Sequence, residues 1–329
     1  MQFTQFGQTG LTVSRMVLGT GTFGMQTDEQ EAHRMLDKAA ESGINFIDTA
    51  DVYPPGAEAG TAEIIVGRWL STRRQEFILG TKGGGKTGPA ASWETGGSRK
   101  HLLDAIDASL RRLATDYVDL YQLHIDDPAT PIDEVVEVMD TIVRSGKARY
   151  IGVSNFLAYR LAKALGRQDT LKLTRFVSAQ PRYNLLFREL ERELFPLAQE
   201  EGLAVIPYNP LAGGLLSGKY NHGDTPEMGR FSAELGWFGQ AYQARYWHER
   251  EFETVDRVQE IAKQNGTPIT TLSVAWVLAN PAVTSVILGA SRVEQLTDTL
   301  AATDYKLDSA LKTRLDEVTI EFRRGDATA

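Results

Sequence analysis

The chain has 329 residues, 42% hydrophobic and 24% charged, with a net charge of −8. That balance opposes a nucleic-acid partner, which needs clustered Lys and Arg to neutralise phosphate, and it suits a soluble enzyme. The absence of cysteine excludes disulfides, zinc–thiolate sites, iron–sulfur clusters and a thiol nucleophile, and fits a reducing, cytoplasmic setting.

The start, Met1 to Gly7, has no basic segment followed by an apolar one, so no signal peptide is visible. Residues 2–14 alternate around Gly7-Gln8-Thr9-Gly10, which predicts a short β-hairpin. Strands and helices then alternate, with eight strands expected over 16–20, 45–48, 77–81, 117–123, 149–153, 176–180, 203–207 and 284–288. Between them, Ala32, Met35, Leu36 and Ala39 repeat on one helical face, as do Leu103, Ile106, Leu110 and Leu113. A third helix is expected to open with Thr130 as N-cap, Pro131 at its first position and Asp133 three after the cap, and to end at Gly146. Strands alternating with helices imply a parallel sheet. Eight such units favour a closed (β/α)8 TIM barrel, and with no linker or low-complexity segment residues 1–329 read as one domain. No stretch approaches the roughly 18 apolar residues of a membrane span, and the five histidines show no metal-ligand spacing.

Three connections are long: Pro54 to Gly60, Gly83 to Gly97, and about 218–248 after the seventh strand. All follow strand C-termini, where they would overhang one face. The last carries Phe231, Trp237, Phe238, Tyr242, Tyr246 and Trp247, which either pack the loop down or wall an apolar pocket.

Two phosphate-loop patterns fail on context. Gly19-Thr20-Gly21-Thr22-Phe23-Gly24 fits the GxGxxG dinucleotide pattern, but Met25-Gln26-Thr27 follow and the helix N-cap is expected at Thr27 or Asp28. A Rossmann helix must begin within the glycines. Gly80-Thr81-Lys82-Gly83-Gly84-Gly85-Lys86-Thr87 fits GxxxxGK[ST], but Gly88 and Pro89 oppose the helix that a P-loop needs.

The chemistry concentrates at strand ends. Asp48 and Tyr53 follow Ile44-Asn45-Phe46-Ile47, Lys82 follows Phe77-Ile78-Leu79-Gly80-Thr81, and His124 follows Val118-Asp119-Leu120-Tyr121-Gln122-Leu123. In a parallel barrel these ends share one face. Each residue alone has a plain reading: Asp48 as a helix cap, Tyr53 as a loop aromatic, His124 as a satisfied core histidine. Lys82 resists one, because a lysine at a buried strand end needs a partner.

The segment Asn45-Phe46-Ile47-Asp48-Thr49-Ala50-Asp51-Val52-Tyr53 resembles the signature of aldo-keto reductases. Lys82 and His124 match that family's other two catalytic positions. Gly152-Val153-Ser154-Asn155-Phe156, Gln180-Pro181-Arg182-Tyr183-Asn184, Tyr208-Asn209-Pro210-Leu211 and Leu288-Gly289-Ala290-Ser291 match further motifs in order. The resemblance runs from about residue 3 to about residue 320. It implies a barrel that binds NADPH across its C-terminal face and reduces an aldehyde, ketone or sugar-like carbonyl. Tyr53 would be the general acid, its pKa lowered from about 10 by Lys82. Asp48 would orient Lys82, and His124 would hydrogen-bond the carbonyl oxygen.

The resemblance also implies cofactor contacts. Ser154, Asn155 and Gln180 would hold the nicotinamide carboxamide, Tyr208 would stack on the ring, and Gly21, Thr22 and Pro210 would line the cleft. Leu211, Gly213, Ser217 and Lys219 lie where the family holds the pyrophosphate. Gly289, Ser291, Arg292 and Gln295 lie at the adenosine end, with Ser291 also a candidate helix cap and Arg292 a donor to a 2′-phosphate, which favours NADP. Asp298-Thr299 stand where many relatives have Glu-Asn, so Thr299 would meet adenine without an amide's paired donor and acceptor. Phe23, Trp93 and Trp237 are expected to touch substrate. The β-subunits of voltage-gated potassium channels share the barrel and tetrad, which makes a cofactor-binding regulatory subunit the alternative, although with the hairpin expected from residue 2 no N-terminal inactivating extension is visible. An aldolase using a Lys82 Schiff base would need a lysine without a strong acid partner.

Overall fold

A computed structural model describes residues 1–55, 58–87, 93–224, 226–227 and 229–323. The first two strands, β1 (Phe3–Gln5) and β2 (Thr12–Ser14), form the expected antiparallel hairpin. Eight parallel strands follow: β3 (Met16–Gly19), β4 (Phe46–Asp48), β5 (Ile78–Gly83), β6 (Val118–Leu123), β7 (Ala148–Ser154), β8 (Phe176–Gln180), β9 (Ala204–Val205) and β10 (Val286–Leu288). They pair in the order β10-β3-β4-β5-β6-β7-β8-β9. Val205 bridges Val283, and the Ile287 N–H donates to the Pro207 carbonyl at 2.9 Å, which brings β9 back to β10 and closes the barrel.

Strand periodicity sets what points inward. Val17, Phe46, Ile78, Leu120, Ala204, Ile206 and Ile287 form an inner apolar layer, while their neighbours Leu18, Ile47, Leu79 and Tyr121 belong to the larger core outside the sheet. The hairpin seals the inner layer from below: Phe6 is fully buried and meets Phe46 edge-on at 6.0 Å. Side chains on a strand alternate with period two. Asp48 therefore points inward two residues after Phe46, Lys82 four after Ile78, and Gln122 two after Leu120. The register aligns Asp48 with Gly80 and Lys82 with Gln122, so these polar groups form the layer above the apolar one, at the C-terminal mouth.

The helix Glu29–Glu41 is capped by Asp28, whose carboxylate accepts from the Glu31 N–H, and it buries Ala32, Met35, Leu36 and Ala39. The helix Arg99–Leu113 buries Ile106, Leu110 and Leu113 but turns on Leu102 and Ala105, leaving Leu103 half-buried. The helix Ile132–Arg144 corrects the expected cap. Pro131 is its N-cap residue, and the Thr130 hydroxyl donates to Asp127 Oδ2 at 2.5 Å. The long connection after β9 is not all loop. It contains the helix Trp237–Tyr246, which buries Tyr242 and Tyr246. Among the described residues no helix is long and apolar enough to cross a membrane.

Two of the three glycines of the GxGxxG segment are accounted for by packing. A Cβ at Gly19 would lie 2.7 Å from Ile287 Cγ2, and Gly24, at φ +86°, would meet Thr61. No helix starts among them, as expected. Lys86 and Thr87 are non-helical, and residues 88–92, on which the P-loop argument leaned, lie outside the described residues.

Gly83 ends the strand that carries Lys82, and a Cβ there would fall 1.9 Å from the Tyr121 hydroxyl. Gly83→Ala is expected to cost about 1–3 kcal/mol of stability through overpacking, read as a lowered urea midpoint. Tyr121→Phe in the same chain should restore part of it.

Candidate functional site

The mouth is organised around one buried ammonium. Lys82 is fully buried, and its three donors are all used: Nζ to Asp48 Oδ2 at 2.6 Å, to the Thr49 carbonyl at 2.8 Å and to the Tyr53 hydroxyl at 3.4 Å. Asp48 is as completely satisfied, its Oδ1 accepting from Gln180 Nε2 at 2.9 Å and from Gln122 Nε2 at 3.3 Å. Burial pushes the Lys82 pKa down more than any other single influence, but Asp48 and Tyr53 together outweigh it and the net shift is upward. Lys82 is therefore a cation with a carboxylate partner, which removes the Schiff-base reading.

Tyr53 meets His124 edge-on, with ring centroids 5.6 Å apart. Burial raises the Tyr53 pKa, Lys82 lowers it, and Asp48 raises it again, so the net shift is upward. The expected lowering by Lys82 is present in direction but loses to desolvation, and the phenol holds its proton at neutral pH. Burial first, then the Lys82 charge, lowers the His124 pKa to about 3, so its imidazole is neutral.

Beside this pair, Ser154, Asn155, Gln180 and Tyr208 form one network. The Tyr208 hydroxyl donates to Asn155 Oδ1 at 2.8 Å. Asn155 Nδ2 donates to the His124 carbonyl at 2.9 Å and to Ser154 Oγ at 3.0 Å, and Ser154 Oγ donates to the Gln180 carbonyl at 2.8 Å. Asn155 sits at φ +57° and Asn209 at φ +63°, left-handed conformations that asparagine tolerates better than most residues.

The cleft continues past Pro210, which is buried, and Leu211, which is half-buried. Gly213 adopts φ +72°, and a Cβ there would strike Tyr242 at 2.6 Å, so this glycine admits an aromatic of the long segment. Ser217 Oγ donates to the Gly214 carbonyl at 2.7 Å. Gly21 and Gly289 have only ordinary neighbours at 3.8 Å or beyond, which leaves their surfaces open. The Lys219 pKa is lowered, first by the protein around its ammonium although the side chain reaches solvent, then by Arg292. Among the described residues neither cation meets a carboxylate.

The chain matches the aldo/keto reductase family over residues 15–320. A Bacillus subtilis protein named uncharacterized oxidoreductase YrpG is 37% identical over 331 residues, covering 97% of this chain and 96% of that one. Proteins named probable voltage-gated potassium channel subunit beta are 37% identical in Arabidopsis thaliana, over 310 residues, and 36% in rice, over 311, each covering 92% of both chains. The chain belongs to the aldo/keto reductase family.

For this oxidoreductase some expected placements need correction. Phe23 is fully buried in the outer core, so its ring is not available to a substrate. Trp93 and Trp237 are 60% and 66% exposed. Thr22 is buried, and its hydroxyl donates to the Ala290 carbonyl at 2.7 Å, tying the first turn to the end of β10. Thr299 is buried, with its hydroxyl on the Leu296 carbonyl at 3.1 Å, which withdraws it from an adenine ring. Ser291 caps no helix. Its backbone N–H and its hydroxyl both donate to Gln295 Oε1, at 2.9 and 3.3 Å.

Two residues near the candidate site went unread in the sequence. Arg230 reaches Nη2 to within 4.0 Å of the points where Gly21 and Gly289 would carry a Cβ, and its charge acts on Tyr53. It comes from the long segment, and only its sequence neighbour Gly229, at φ +88°, hinted at a special turn. Asp51 is buried behind Lys82, its pKa raised well above the carboxylate range by burial and by Glu63.

A native imidazole that resists protonation until about pH 3 loses stability relative to an unfolded one that charges below about 6.5. His124 thus subtracts stability as pH falls through that window. In NMR its ring is expected to keep neutral shifts from pH 8 down to 5; a midpoint near the free value would contradict the burial argument.

Proposed function

We propose that the protein is an NADPH-dependent oxidoreductase that reduces an aldehyde, ketone or sugar-like carbonyl to the alcohol, with Tyr53 as general acid. The observation that carries this is the Lys82 ammonium held between Asp48 and the Tyr53 hydroxyl. Carbonyl reduction needs a hydride at carbon and a proton at oxygen. A bound nicotinamide dinucleotide supplies the hydride. Tyr53 keeps its proton until charge develops on the carbonyl oxygen, gives it up, and leaves a phenolate that Lys82 stabilises from hydrogen-bonding distance. His124, neutral, donates one N–H to the same oxygen and orients it. Asp48 holds Lys82 charged and in place.

The residues present fit such a cofactor. Lys219, Arg230 and Arg292 offer positive charge without carboxylate partners among the described residues, as a pyrophosphate and a 2′-phosphate require. Gly21 and Gly289 leave open surface. Ser154, Asn155 and Gln180 would meet the carboxamide, with Tyr208 under the ring and Arg292 favouring NADP over NAD. We assign the substrate to the small carbonyl compounds and place the enzyme in the cytoplasm, on the absence of cysteine.

A regulatory role of channel-subunit type is the second reading, favoured by the names of the Arabidopsis and rice relatives. It predicts cofactor binding with little turnover.

With a carbonyl panel, NADPH consumption at 340 nm should fall about 10²–10⁴-fold in Tyr53→Phe, with NADPH affinity retained. Negligible turnover in both proteins, with tight NADPH binding, would favour the regulatory reading. Arg292→Met should weaken NADPH about 10–100-fold, the scale of a charge-assisted hydrogen bond, and leave NADH nearly unchanged in fluorescence titration.

A further inference from the structure

Two cations at the mouth are not needed for the tetrad or for the cofactor phosphates. Arg182 lies just past β8, half-buried, with its guanidinium 3.6 Å over the Phe187 ring and 5.6 Å from Tyr246. Arg245 lies in the last turn of the helix Trp237–Tyr246, 5.5 Å from the Tyr242 ring. Arg182 bridges Tyr208 in parallel register, and the Tyr242 and Tyr246 rings stand 6.4 Å apart, so Arg182 and the exposed Arg245 lie against neighbouring rings.

Neither meets a carboxylate among the described residues. Several other arginines do: Arg160 holds Asp126, Arg167 holds Asp133, and Arg175 holds Asp169 and Glu201. Aromatic faces accept the flat side of Arg182 and Arg245 but give their N–H edges no acceptor. The helix dipole accounts for Arg245 alone, and stacking accounts for Arg182 alone. Neither accounts for two like charges without carboxylate partners on neighbouring rings in a chain of net charge −8, an arrangement that a bound anion relieves.

Their position says which anion. Tyr208 donates to Asn155, and Asn155 donates to the His124 carbonyl, so the pair stands two side chains from His124. Lys219 and Arg292 act on each other in a different stretch of the cleft, while Arg230 stands near Gly21 and Gly289 and shares the Tyr242 ring with Arg245, at 5.4 and 5.5 Å. We propose that Arg182 and Arg245 form a recognition site for an anionic end group of the substrate, a carboxylate or phosphate monoester held away from the reacting carbonyl. This rests on the reductase reading and names its substrate class: carbonyl compounds with a distal anion.

The test is a matched pair of substrates, 4-carboxybenzaldehyde against benzaldehyde, with NADPH. The wild type should prefer the anionic member by about tenfold or more in kcat/KM, chiefly through KM, and the preference should shrink as salt rises. Arg182→Gln and Arg245→Gln should each cut that ratio about tenfold, while Arg245→Lys keeps part of it. A wild-type ratio near one, or a ratio that both Gln variants leave unchanged, overturns the proposal while the reductase reading stands. Turnover of neither aldehyde, with NADPH bound, fails the reductase reading, and this proposal falls with it.

Discussion

A lysine ammonium without exposed surface sets the terms for the rest of this molecule. Burying such a charge costs several kcal/mol unless every donor finds a partner, and Lys82 finds three. Each partner imposes a constraint. Asp48 must end β4 facing inward, Thr49 must turn its carbonyl back, and Tyr53 must return from the following turn. Asp48 in turn needs Gln122 and Gln180 from two further strands. Four strands are thereby tied at one level of the barrel, and a substrate that reaches Tyr53 meets side chains that are already in place.

The barrel serves this by separating its layers. The lower interior is apolar and sealed by the hairpin through Phe6, so the polar layer faces only the open C-terminal mouth. Desolvation there does two things at once. It keeps the Tyr53 phenol protonated and the His124 imidazole neutral. A protonated phenol and a neutral imidazole can both donate to one oxygen without bringing a second full charge beside Lys82, which would otherwise compete for Asp48.

Much of this was legible in the residues. Period-two alternation and apolar runs placed all eight barrel strands, and the strand-end positions of Asp48, Lys82 and His124 placed the site. The cap before the first amphipathic repeat was legible to within one residue, Thr27 or Asp28, and the structure assigns Asp28. What stayed hidden depends on contacts distant in the chain. Phe23 looks like a mouth aromatic, yet the turn built on Gly24 folds it into the core. Thr130 looks like a cap, yet Asp127 takes its hydroxyl. Arg230 looks like a loop cation, and only the fold brings it over Gly21. The sign of the Tyr53 shift also needed the structure, since residue types give the Lys82 attraction but not the burial that exceeds it.

The central claim is that Lys82, fixed by Asp48, makes Tyr53 competent to protonate a carbonyl as hydride arrives. The most direct measurement is single-turnover deuteride transfer from 4-deuterated NADPH to an aldehyde, comparing the wild type with Lys82→Met. The account predicts deuterium at the carbinol carbon in the wild type, and transfer slowed by about 10²-fold or more in the variant at saturating bound cofactor. Equal transfer rates in the two proteins would contradict it.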